Sequence, residues 1–169
     1  MTIRNRTERS SARATAGVAA TIGLAGAGAL HALWASGSTW PAADAAELAD
    51  VVVGRAREGT ERRDGDTGPP PLPARAPTLA VAGLLGAASV LTAGASGLLP
   101  LPGRRSEDLA RLGARVASGV LLARGTGGLV VSSTGLVPTT ERFRRWNLRL
   151  YSPLCVGLGG AIVAATGGR

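Results

Sequence analysis

The sequence predicts an all-α, polytopic transmembrane four-helix bundle. Three observations predict it. Four stretches, 14–35, 77–102, 116–137 and 150–166, carry no charge apart from one arginine, and each approaches the ~20 residues that cross a hydrocarbon core. Arginine-rich segments separate them, and all 19 basic residues are Arg. The apolar mass is small: hydrophobic residues make up 45 %, aromatics only 3 %, and there are 25 glycines. A soluble core leans on large aromatic side chains, whereas small residues let helix backbones approach closely in lipid. The mean hydropathy of +0.19 is modest because the polar segments offset the spans.

Residues 1–13 form a basic tail with Arg4, Arg6, Arg9 and Arg13. The first span is 14–35, where Ala19, Gly23 and Ala27 recur every four residues and suit packing against neighbours. A cleaved signal peptide also begins with a basic stretch. Its apolar region is only ~7–15 residues, however, and ends in an A-x-A-like site. The apolar run here is longer, and no clean site follows, so the reading is a retained helix.

Residues 36–76 form an extramembrane loop with a short helix and a Pro-rich linker. Pro41 suits the first position of a helix. Asp44, Glu47 and Asp50 load its early turns with negative charge, as a helix N-terminus favours. A surface helix is therefore expected over Ala42–Glu58. The linker follows, with Pro69, Pro70, Pro71 and Pro73. Span two, 77–102, carries Leu84, Leu85, Val90 and Leu91. A basic loop, 103–115, holds Arg104, Arg105, Arg111 and Arg115. Span three is 116–137, a second basic loop is 138–149, and 150–169 is the fourth span with the C-terminus. Pro153 is tolerated in its first turn.

Arginine counts on the two sides of such a bundle tie. The long first loop is net acidic, and long loops cross a membrane with little regard to charge. This places both termini in the cytoplasm and the chain in the cell membrane as a multi-pass protein.

Arg124 is the sharpest individual feature. A charge at mid-bilayer costs on the order of 2.5–3.5 kcal/mol on insertion scales, yet the four predicted spans contain no Asp or Glu. Water, helix carbonyls, His31, an anionic ligand or lipid head group, or snorkelling to the interface are the ways to meet that cost. His31 lies near the end of the first span, one turn from Trp34, and is expected to hydrogen-bond within the bundle. Trp34, Trp40, Trp146 and Tyr151 are expected as interfacial anchors. Arg145 and Arg149, with Arg142 and Arg144, are placed to meet anionic lipid head groups, worth ~1 kcal/mol each near such a surface.

The residues exclude several chemistries. No phosphate-binding loop, dinucleotide fingerprint, zinc-protease helix or nucleophile elbow occurs. Ser152 and Cys155 lack a neighbouring base. One histidine and one cysteine cannot build a metal site within one chain, and no cofactor is expected. The accessible segments are too short for a nucleic-acid-reading domain. No catalytic residue is therefore assigned. The expected role is a non-enzymatic interaction or accessory membrane subunit. Its partners are the lipid bilayer, anionic lipids and either a second copy or another membrane protein. The alternative is a small carrier or channel for an anionic or amphipathic solute, with Arg124 and His31 lining a polar interior. A membrane enzyme using Cys155 or His31 ranks last.

Three segments resemble a known family. These are His31-Ala-Leu-Trp34-Ala-Ser-Gly-Ser-Thr-Trp40-Pro41, Arg124 with Gly127-Gly128, and Arg145-Trp146-Asn-Leu-Arg149-Leu-Tyr151-Ser-Pro153-Leu-Cys155. They are similar to the domain of unknown function 3995 family, small bacterial membrane proteins common in actinobacteria. The resemblance runs from the first span to the fourth and implies the same topology; it implies no activity. Ser38 departs from a second glycine, and Asn147 from an acid that would offer a nearby arginine a partner.

Overall fold

The computed structural model describes residues 2–52, 74–137 and 139–167. Among these the chain is helical and without strands, and four helices are long and apolar enough to cross a membrane. The elements are α1 (Thr2–Ala35), α2 (Ala45–Val52), α3 (Arg75–Ser96), α4 (Gly103–Thr134), α5 (Glu141–Trp146), a π-helical turn (Asn147–Tyr151) and α6 (Ser152–Thr166). The Pro-rich linker, up to Pro73, and the end of the expected surface helix lie outside the described residues.

Several predicted loops are helix. The 1–13 tail belongs, from Thr2, to α1: no Gly or Pro stands between Thr2 and Ala16 to stop the helix. The 103–115 segment is the first part of α4. There Arg111 bridges Glu107 and Asp108, both at 3.3 Å. Such pairs one turn apart add about 0.2–0.5 kcal/mol each to a helix. The segment from Glu141 is helical too, because the Thr140 side chain accepts from Phe143 N at 3.2 Å and caps it. It continues through the π turn into α6. Pro153 lacks an N–H and cannot join a regular ladder, and the π winding falls just before it.

Other boundaries shorten. The second span's helix stops at Ser96, with Gly97 at φ 82°. Gly97 N donates to Gly94 O at 3.1 Å and Leu98 N to Ala93 O at 2.9 Å, the paired closure that left-handed glycine permits. The surface helix begins at Ala45 and not at Pro41. Asp44 is the reason: its Oδ1 accepts from Glu47 N at 2.8 Å, while Glu47 Oε2 accepts from Ala43 N at 2.8 Å. These reciprocal bonds satisfy amides that a helix start leaves open.

The four long helices form an antiparallel ring in which α1 packs on α3 and α6, and α4 packs on the same two. Small side chains dominate the core: Ala20, Leu24, Ala95, Ala110, Ala114 and Ile162. Close approach is built in at Gly28, where an added Cβ would stand 3.2 Å from Ala82 O of α3. Buried hydroxyls bond across the seams, Ser89 Oγ to Thr21 O and Ser118 Oγ to Gly159 O, both at 2.9 Å.

Thr92 is fully buried, and its Oγ1 has no hydrogen-bond partner among the described residues. An unsatisfied buried hydroxyl costs about 1–3 kcal/mol. Thr92→Val removes it with little change of shape. The expected result is a gain of about 1 kcal/mol in detergent unfolding; an equal loss would mean that the hydroxyl has a partner in the membrane.

One end of the bundle carries a cap. There α2 rests on α5, Thr140 Oγ1 donates to Asp50 O at 3.4 Å, and the Arg142 guanidinium pairs with Glu47. The 103–115 end lies opposite.

Candidate functional site

The cap forms a half-open cavity of about 200 Å³. Leu30 and Trp34 from the end of α1 form one wall. Leu48, Val51 and Val52 of α2 roof it, and Trp146, Leu150 and Tyr151 close the far side. Among the described residues, the polar side chains that line it are Glu47, Arg142 and Tyr151, beside the two indoles. The lining follows from local structure. Leu48 is only 3 % exposed because the Asp44 cap starts α2 in the register that turns this residue inward. The π turn, which spans Asn147–Tyr151, turns Leu150 and Tyr151 to the cavity while Asn147 faces α4.

Trp34 is fixed twice. Its Nε1 donates to Trp40 O at 2.7 Å, and its ring lies 5.0 Å from that of His31, tilted by 58°. Trp40 itself projects outward, 63 % exposed, so it holds Trp34 through its backbone and leaves its indole at the surface. His31 Nδ1 sits 2.8 Å from Ala27 O, a bond that orients the ring against Trp34. Three of the four aromatic residues expected as separate anchors thus meet in one cavity, and the fourth braces it.

The Glu47–Arg142 pair latches the roof. Its side chains are 29 % and 52 % exposed, so its contribution stays within the ~0.2–1 kcal/mol of surface pairs. Glu47→Gln keeps the carbonyl that accepts from Ala43 N and removes the charge. Faster amide exchange over 45–52, with the four long helices unchanged, is the expected outcome. Unchanged exchange would mean that α2 is held by Leu48 and its neighbours alone. Arg142 was expected at lipid head groups and is here an intramolecular partner. Arg145 and Arg149 are exposed and form no ion pair with a described residue.

A second polar cluster fastens the base of the cap. Asn147 is 2 % exposed. Its Nδ2 donates to Gly128 O at 3.0 Å and to Ser132 Oγ at 2.6 Å, and its Oδ1 accepts from Ser152 Oγ at 3.1 Å. Sequence reasoning noted Asn147 only as a departure from an acid, and a lone polar residue beside a span was the one available signal. The Ser152 hydroxyl is engaged by Asn147, and His31 is not its partner.

Arg124 lies at the edge of this cluster. A Cβ added to Gly128 would meet Ser152 Oγ, Arg124 Nη1 and Asn147 Nδ2, all within 3.1 Å. The guanidinium therefore leans along α4 towards the cap, into room that glycine leaves. Arg124 is exposed and makes no hydrogen bond or ion pair with a described residue. The carrier reading asks Arg124 and His31 to share a site. The fold puts them on α4 and α1, helices that are not neighbours in the ring, and neither lines the cap cavity. Among the described residues no three His, Cys, Asp or Glu side chains gather.

A family model described as a protein of unknown function, DUF3995, matches residues 24–162. No curated protein and no solved structure gives a significant match. The matched range includes every residue of the cap cavity.

Proposed function

The chain belongs to the DUF3995 family, and from that premise we propose that it is a non-enzymatic membrane subunit whose working part is the cap cavity, which holds one apolar group of a membrane amphiphile. The observation that carries this reading is convergence. Two of the segments that resemble the family, 31–41 and 145–155, are far apart in sequence and meet at the cavity, Trp34 and Pro41 from the first and Trp146, Leu150 and Tyr151 from the second. The chemistry fits an interfacial guest: indoles and aliphatic side chains inside, and one ion pair at the rim. The volume is below the ~300–1,000 Å³ of sites that enclose a whole drug-sized ligand, so an acyl end or a ring enters and the head group stays outside. With both termini in the cytoplasm, the cavity opens at the outer leaflet.

Two of the three tryptophans line the cavity, so intrinsic fluorescence reports on it. A brominated-chain amphiphile titrated into neutral vesicles should quench wild-type emission saturably at low mole fraction. Val51→Phe, which fills the cavity from the roof, should leave only the shallow linear quenching of bulk lipid. Equal, non-saturating quenching in both proteins would sink the proposal.

A further inference from the structure

Two arginines border the cap cavity without taking part in it. Trp146 and Leu150 line the cavity, and Arg145 and Arg149 each precede one of them. Along this stretch each residue turns the helix by roughly 80–100°. Asn147 faces α4, with its Nδ2 on Gly128 O. The Trp146–Leu150 stripe comes next around the helix, and the Arg145–Arg149 stripe after it, away from α4. The two arginines therefore share one ridge beside the cavity wall, four residues apart. Both are exposed, and neither has a hydrogen-bond or ion-pair partner among the described residues. Arg142, on the cavity stripe itself, is taken by Glu47. Glu141 stands one turn before Arg145, at a spacing that allows a pair, and none forms. Like charges at this spacing destabilise a helix, and an anion held between them offsets that cost.

Their height is that of a head group. At the other end of the bundle α3 and α6 stop together: a Cβ on Gly17 would stand 2.9 Å from Ser96 Cβ and 3.6 Å from Ala165 Cβ. Counted back from the end of α6 at Thr166, Arg149 and Arg145 lie about 26 and 32 Å away at ~1.5 Å per residue. That is one ~30 Å hydrocarbon core from that edge. Arg75, the first residue of α3, lies at the same height, about 32 Å from Ser96. Charge then selects the head group. Two unpaired guanidiniums side by side match a group with nearly two negative charges. A phosphomonoester carries about −1.5 to −2 at neutral pH, and its oxygens accept paired bonds from a guanidinium fork. A choline or ethanolamine head group would set its own cation against the arginines.

We propose that the guest of the cap cavity is a phosphomonoester amphiphile, its phosphate held by Arg145 and Arg149 while the apolar group next to it fills the cavity. This rests on the cavity reading above. Because the arginine ridge adjoins the cavity wall, the apolar group sits within a few bonds of the phosphate.

The probes are two brominated amphiphiles with the same apolar end, one carrying a phosphomonoester and one a phosphocholine. Each is titrated into phosphatidylcholine vesicles that hold the full-length protein, and tryptophan quenching is read. In the wild type the phosphomonoester should saturate at about tenfold lower mole fraction. Arg145→Gln combined with Arg149→Gln should close that gap, with the phosphocholine titration and the helical content unchanged. Arg144→Gln removes another exposed arginine from a different side of the helix and should keep the gap. Equal saturation of the two head groups in the wild type, or a gap that survives the double variant, would overturn the proposal and leave the cavity reading standing. A gap that Arg144→Gln also closes would overturn it as general attraction to a basic surface. Closure of the gap by millimolar inorganic phosphate would assign the arginines to free phosphate and overturn it as well. If neither amphiphile saturates, the cavity reading fails and the proposal with it.

Discussion

Gly125→Leu should prevent α4 and α6 from closing on each other. A Cβ at this position would stand 2.7 Å from Val156 Cγ2 and 2.9 Å from both Ser152 O and Val156 N. Two of those atoms are backbone and cannot swing away. Overpacking costs about 1–3 kcal/mol where side chains can adjust, and more where they cannot. A loss of at least about 3 kcal/mol is expected, read as loss of a monodisperse species in detergent. Gly160 is the control. It lies on α6 with nothing within 4 Å of its Cβ position, so Gly160→Leu should gain about 0.5–1 kcal/mol from helix propensity. Similar behaviour of the two variants would mean that the α4–α6 contact is looser than described.

Asn147→Leu carries the second large expected effect. It removes the hydrogen-bond partner of Ser132 Oγ and of Ser152 Oγ in a seam where Asn147 is 2 % and Ser152 0 % exposed. Each stranded buried group costs about 1–3 kcal/mol, so a loss of about 3 kcal/mol is expected, measured by unfolding in mixed micelles. Replacing the partners as well, Ser132→Ala and Ser152→Ala on the Asn147→Leu background, should recover part of the loss, because an apolar seam leaves nothing unsatisfied. A loss below about 1 kcal/mol for the single variant would show that lipid or water reaches these hydroxyls.

The four spans were legible because a charge-poor run near bilayer length fits little besides a membrane crossing. Helix ends were not, since hydropathy marks where lipid stops, whereas α1 and α4 continue past it and α3 stops short of it at Ser96. The helical turns over 103–115 are held by Arg111 with Glu107 and Asp108, and those from Glu141 by Thr140, local bonds that a hydropathy reading passes over. Trp34, Trp146 and Tyr151 were found one at a time as anchors. That they share a cavity depends on how α1, α2 and α5 lie against one another, which no local pattern encodes. Glu47 read correctly as an acid in a first helical turn. Its pairing with Arg142 crosses 95 residues and is set by tertiary structure alone. The role of Asn147 was hidden for a further reason: the π turn that aims it at α4 breaks the 3.6-residue period on which face assignments rest.

Native mass spectrometry of the protein released from lipid nanodiscs tests the cavity most directly. The wild type and Arg124→Leu should both retain one defined amphiphile, and Val51→Phe should emerge bare. If all three carry the same distribution of bound lipid, or if Arg124→Leu alone loses it, the cap cavity is not the binding element and the proposed function fails.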